Sequence, residues 1–284
     1  MKSSLCIAAV LATTLCAAQE LPAPVDKRSS DREIMEHMYR HEANQTQTDA
    51  LAVHFPHIDR DRAYGIQKLR LEEKSKQYAR AGWKLAWTRM PEDGQLDPAF
   101  GHYLEDRVFP AGEPVSAHYF TLGTALAEPE IVFYFNKDLP GPVVTRDEVI
   151  DAIDSVGIAM EFVNWRTLEP RSREHAIIDN GIAAGVVLGE LRFALGDVSF
   201  ADELGTITIN GGDSSAGPAT SIMGEDPLAA VVWAANELPR YGMHFKAGEF
   251  VVSGSVCIPL PVSAGDTAVA SFTNLGSLEV NIVD

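Results

Sequence analysis

Residues 127–135 read Ala127-Glu128-Pro129-Glu130-Ile131-Val132-Phe133-Tyr134-Phe135, and this run restricts the fold more than any other. β-Branched and aromatic residues in an unbroken series predict a buried β-strand. Side chains two apart share a face of a strand, so Glu128 and Glu130 point the same way at the mouth of an apolar element. Adjacent carboxylates repel one another and lose hydration there. A hard divalent cation, Mg²⁺ or Mn²⁺, would offset that cost. The plain alternative is a solvated strand end carrying two unrelated acids. A third ligand and a chemical partner elsewhere in the chain decide between the two readings.

Both are present. Residues 158–163, Ile158-Ala159-Met160-Glu161-Phe162-Val163, read as a second buried strand with Glu161 at its middle. A carboxylate between Met160 and Phe162 is expensive unless paired or metal-bound, which favours the metal reading. Trp83-Lys84-Leu85-Ala86-Trp87 reads as a strand that places Lys84 opposite the tryptophan face, where an ordinary outward lysine is the alternative. A helix is expected over 59–80, stopped at Gly82, and residues 90–120 are expected to be a loop-rich pocket wall or lid. Thr145-Arg146-Asp147-Glu148 is a capping box for a helix through Asp154 that Gly157 ends. Asp179-Asn180 offers a turn, a cap or a water-orienting pair. Asp226-Pro227 starts a helix through Leu238, and strands close the chain near 250–254, 267–272 and 278–283.

A chain of 284 residues with 46% hydrophobic content supports one large domain or two small ones. Its net charge of −17 argues against nucleic acid or an anionic membrane as partner, so an anionic ligand needs local positive charge or a metal. Lys2, the apolar residues 5–15 and the small residues Cys16-Ala17-Ala18 predict a secretory leader over 1–18, and an exported, periplasmic setting for the rest. A lipoprotein signal through Cys16 is disfavoured by Leu15. Residues 19–43 are expected to be a polar linker or loosely docked arm, and 44–284 the catalytic domain. Cys257 alone remains after the leader, and its apolar neighbours mark a packed small hydrophobe. No later stretch is long and apolar enough to span a membrane.

Several blocks, taken in order, resemble the fumarylacetoacetate hydrolase superfamily, and within it the 2-keto-4-pentenoate hydratase and 4-oxalocrotonate decarboxylase branch. They are Ala63-Tyr64-Gly65-Ile66-Gln67, Gly82-Trp83-Lys84-Leu85, Glu128-Pro129-Glu130-Ile131, residues 159–163, residues 179–189, Asp226-Pro227-Leu228, residues 247–255 and Ala264-Gly265-Asp266. The resemblance runs from about residue 50 to the C-terminus. It implies a mixed α/β fold with a rolled, barrel-like sheet, a divalent metal, a small 2-oxo acid substrate and a homo-oligomer. Carried over residue by residue, it implies that Glu128, Glu130 and Glu161 bind the metal, Lys84 is the active-site lysine, and Ser253-Gly254-Ser255 seats the substrate carboxylate. Arg89 and Asp179 are added as substrate-facing candidates.

The chain departs from the family pattern around the substrate rather than the metal. Ala86 and Thr88-Arg89 follow the lysine where Gly and a Thr-Ser pair are usual, Ala99 replaces an acid before Phe100-Gly101, and Ala125-Leu126 replace a proline and a basic residue. The expected activity is hydration of a small 2-hydroxy-dienoic or 2-oxo acid. Decarboxylation, tautomerisation or C–C hydrolysis at the same site are alternatives, as is a non-catalytic oxo-acid-binding protein.

Overall fold

The computed structural model describes residues 24–284, so the leader reading of 1–18 lies outside the described residues. Among the described residues, six α-helices flank two sheets: α1 (Asp31–Ala43), α2 (Ala50–His54), α3 (Arg60–Lys74), α4 (Arg146–Ala152), α5 (Arg173–Ile178) and α6 (Pro227–Glu237). The larger sheet contains β1 (Arg80–Ala86), β2 (Ala99–Leu104), β3 (Val108–Phe109), β5 (Thr124–Phe135), β6 (Ile153–Val163), β7 (Ala183–Leu188), β10 (Phe250–Val252) and β11 (Leu260–Ser263). The smaller contains β4 (Val115–Ser116), β8 (Leu204–Ile209), β9 (Asp213–Pro218), β12 (Thr267–Phe272) and β13 (Gly276–Val283). The larger sheet, ordered β2-β1-β10-β5-β6-β7-β3, curls into a half-barrel, with β11 also paired to β5. The smaller is ordered β4-β13-β12-β8-β9. The expectation of a mixed α/β fold with a rolled sheet holds.

Strand β5 organises the site. Along one edge it pairs continuously with β6. Its other edge changes partner, from β11 at residues 124–127 to β10 at residues 132–134. The segment after β10 fills the gap: Ser253 N donates to Ile131 O, Ile131 N to Ser253 Oγ and Val256 N to Pro129 O. Pro129 and Ile131 share strand parity, so the donor that proline lacks falls on this interrupted edge, where no ladder bond is lost.

Four local expectations change. Residues 31–43 are a docked helix rather than a loose arm: Ser30 and Glu33 form a capping box, and Ile34, Met35 and Met38 are buried. Helix α3 stops at Lys74 instead of running to 80, and Gly82 lies within β1. Gly82 is there for close approach, because a Cβ would sit 2.6 Å from Phe250 O of the neighbouring strand. The loop-rich stretch hides β2, all six residues of which are buried. Strand β6 begins at Ile153, so Gly157 is a strand glycine, with Leu191 O 2.8 Å from where its Cβ would be.

Candidate metal centre and substrate cavity

Register brings the carboxylates together. Glu128 pairs directly with Glu161 across β5 and β6, and Glu130 stands two residues along the same face. One oxygen from each lies within 4.8 Å of the others, and Glu130 and Glu161 are wholly buried. Burial, with the charge of Glu161, pushes the Glu128 carboxyl up to about 8 against the partial relief from Lys84. Burial, with the charges of Glu161 and Glu128, also holds the Glu130 carboxyl well above the usual carboxylate range. Three acids here face one internal cation, which is a chemical demand for more positive charge.

Lys84 is that cation. It lies on β1, is 1% exposed, and its Nζ is 2.9 Å from Glu161 Oε1 and donates to Gly181 O at 2.9 Å. The outward-lysine alternative is therefore excluded. Burial alone would lower its pKa, but Glu161, Glu128 and Glu130 outweigh burial and raise it, so the ammonium persists. Gly101 makes room for its stem: a Cβ there would meet Asn180 O at 2.5 Å and Lys84 Cγ at 3.0 Å.

The remaining carboxylate bonds divide the oxygens into two sets. Gly254 N donates to Glu130 Oε2 at 2.8 Å, while the Tyr103 hydroxyl and Lys84 both hold Glu161 Oε1. Glu130 Oε1 and Glu161 Oε2 are buried with no hydrogen-bond partner. Glu130 and Glu161 thus each have one oxygen anchored by the protein and one left for a further ligand. An all-oxygen donor set with orphaned, convergent lone pairs fits a hard divalent cation.

A cavity of about 240 Å³ opens beside this cluster, smaller than the pockets of drug-sized ligands. Lys84 and Glu128 line it at the cluster, Trp87, Val163, Trp165 and Ile182 form its apolar belt, and Arg89 lines it at an exposed position. Gly254 and Ser255 also reach the cavity. Gly254 has φ +89°, and a Cβ would collide with the Thr88 hydroxyl, so this bend requires glycine.

Two predicted substrate residues lie elsewhere. Ser253 is fully buried outside the cavity lining: its Oγ accepts from Ile131 N and donates to Gly254 O at 2.9 Å. It fastens the bend instead of seating a carboxylate. Asp179 is also outside the lining; its carboxylate is held by Arg166, with Nε to Oδ1 2.5 Å apart and the Arg166 amide on Oδ2. Its contribution is indirect, because the bend through Asn180 and Gly181 presents the carbonyl that receives Lys84. Ser255 faces the cavity, but its hydroxyl proton goes to Cys257 O at 2.9 Å, leaving it only acceptor capacity. Cys257 is buried, as expected, and burial raises its thiol. Tyr103 was missed: the aromatic alternation of Phe100-Gly101-His102-Tyr103 was its only sequence signal, and the surrounding prolines and glycines concealed it.

No protein-family model matches the chain. The solved structure of 4-oxalocrotonate decarboxylase from Pseudomonas putida G7, complexed with magnesium and adipate, superposes with a TM-score of 0.81 at 24% identity, covering 89% of this chain and 97% of that one. That likeness defines the fold class as the fumarylacetoacetate hydrolase type. In sequence, the chain is 30% identical over 235 residues to 2-hydroxyhexa-2,4-dienoate hydratase of Comamonas testosteroni, covering 81% of this chain and 88% of that protein. It is 28% identical over 262 residues to 2-oxo-hept-4-ene-1,7-dioate hydratase of Escherichia coli, covering 88% and 97%. The chain belongs to the 2-keto-4-pentenoate hydratase and 4-oxalocrotonate decarboxylase branch of the fumarylacetoacetate hydrolase superfamily.

Proposed function

We propose that the protein is a divalent-metal-dependent lyase of the hydratase type, acting on a small 2-hydroxy-dienoic acid through its 2-oxo tautomer. The carrying observation is the pair of orphaned oxygens, Glu130 Oε1 and Glu161 Oε2, inside a cluster of three glutamates. Mg²⁺ or Mn²⁺ held by Glu128, Glu130 and Glu161 would supply Lewis-acid polarisation of a 2-oxo acid.

The chain's own groups supply the rest. An ammonium has three N–H donors, and Glu161 and Gly181 take two of Lys84's, which leaves one for the cavity that Lys84 lines. Lys84 therefore enters as the acid form: its ammonium gives a proton to the terminal carbon of the dienol, and the amine so formed takes up the enol hydroxyl proton. Water then adds to the conjugated ketone so formed. Trp87, Trp165 and Ile182 keep the hydrocarbon part of the substrate out of bulk solvent.

Thermal unfolding with Mg²⁺, with oxalate, and with both tests the site directly, because ligands that bind only the native state raise Tm. The expected result is a shift that needs both components. No shift with either Mg²⁺ or Mn²⁺ overturns the metal assignment. NMR of the products then separates hydration, which keeps every carbon and adds water, from decarboxylation. Export by cleavage of residues 1–18 and assembly as a homo-oligomer complete the proposal; the leader pattern at Lys2 and residues 5–18 supports the first, and the family resemblance the second.

A further inference from the structure

Arg89 is a cation the reaction above does not use. Among the described residues its guanidinium makes no ion pair or side-chain hydrogen bond, whereas Lys84, the other cation lining the cavity, is committed to Glu161 and Gly181. It is well placed nonetheless. β1 ends at Ala86, Trp87 turns the chain at φ +54°, and the segment is then pinned to a neighbouring one through Met90 N to Ser221 O at 2.8 Å and Met223 N to Thr88 O at 2.7 Å.

The cavity lining therefore holds two cations of different kind. Lys84 and Glu128 line it beside the glutamate cluster, Trp87, Val163, Trp165 and Ile182 supply its apolar part, and Arg89 lines it at an exposed position. For a 2-oxo acid with its oxo-carboxylate head at the cluster, the apolar lining suits the carbon chain and the guanidinium is the remaining cation for its far end. A purely hydrocarbon tail would set methylene or methyl groups against an unpaired cation. A carboxylate there gains a charge-assisted hydrogen bond. The protein as a whole carries −17, so a dianion is admitted only where positive charge is concentrated.

We infer that Arg89 is a specificity determinant that selects dicarboxylic substrates, pairing with the carboxylate remote from the 2-oxo group. This rests on the lyase reading above and sharpens its substrate class.

The test compares the Mg²⁺-loaded protein on 2-hydroxypenta-2,4-dienoate and 2-hydroxyhepta-2,4-diene-1,7-dioate. The wild type is expected to favour the diacid in kcat/KM by about tenfold or more, the effect of one charged hydrogen bond. Arg89→Ser collapses that ratio, mainly through a higher KM for the diacid, and Arg89→Lys restores part of it. Equal treatment of both acids by the wild type overturns the inference. So does an Arg89→Ser variant that loses both acids equally, which would place the guanidinium on the 1-carboxylate. Calorimetry with Mg²⁺ and the non-reacting pair 2-oxovalerate and 2-oxoadipate separates the two levels of the claim. Tighter binding of 2-oxoadipate supports Arg89 as the selector, and equal binding of the two removes only that role. Binding of neither removes the metal and oxo-acid reading together with it.

Discussion

Lys84 and Tyr103 meet on one oxygen, Glu161 Oε1, yet they serve different ends. Lys84 has a spare proton facing the cavity; Tyr103 is buried and has only its hydroxyl to give. Lys84→Met should lower turnover by about 10²–10⁴-fold, the usual contribution of a positioned acid or base, while the Tm shift with Mg²⁺ and oxalate together persists. Tyr103→Phe should weaken Mg²⁺ binding by about 10–100-fold, because a group that orients a ligand tunes affinity, and its turnover should recover at saturating metal. Metal titrations read by Tm and by turnover distinguish the two; a Phe variant with unchanged affinity removes Tyr103 from the centre. The glutamates were legible because strand parity is a strict rule, and a carboxylate inside an apolar run is costly wherever it falls. Ser253 misled for a matching reason. β10 ends at Val252, and the rotation beyond it turns the Ser253 hydroxyl back onto β5, a reorientation no periodicity records.

Helix α1 shows how an element can be legible in its cap and obscure in its body. Ser30-Asp31-Arg32-Glu33 carries the capping-box signal, but the three buried apolar side chains, Ile34, Met35 and Met38, sit among charged residues and a buried histidine pair. His37 and His41 face each other with ring centroids 4.5 Å apart, and His37 Nε2 lies 3.0 Å from Thr48 Oγ1. Burial first, then the neighbouring His41, pushes His37 from 6.5 down to about 4. Between those two pH values the unfolded chain binds a proton that the folded chain refuses, so the stability His37 contributes is complete above pH 6.5 and lost as pH falls toward 4. Melting curves should show Tm dropping from pH 7 to pH 5, and His37→Gln should reduce that drop; an identical drop in the variant would dissociate α1 from acid sensitivity. The other element-scale surprises have a common cause. Gly82 and Gly157 look like stop signals in sequence, but each occupies a strand position where another backbone approaches to within 3 Å of a would-be Cβ.

At the scale of the molecule, the fold class followed from the order of the motifs, and in the large sheet β5 hands one edge from β11 to β10. What the motifs could not convey was the rim, because it depends on segments far apart in sequence, Thr88–Met90 against Ser221–Met223, that no local pattern joins. The strong negative charge was informative in the same way: it argued against polyanionic partners and made the two cations of the cavity worth locating. The inner centre is written into the hydrogen-bond register of β5 and β6, where slipping one residue would turn every side chain to the opposite face. The rim, by contrast, hangs on a short connection after β1 whose side chains can be exchanged without disturbing that register. Inheritance can therefore act on the two separately: the chemistry is locked by strand pairing, while the choice of what reaches it is left to a handful of replaceable residues, so descendants of one ancestor can change diet while keeping the same hearth.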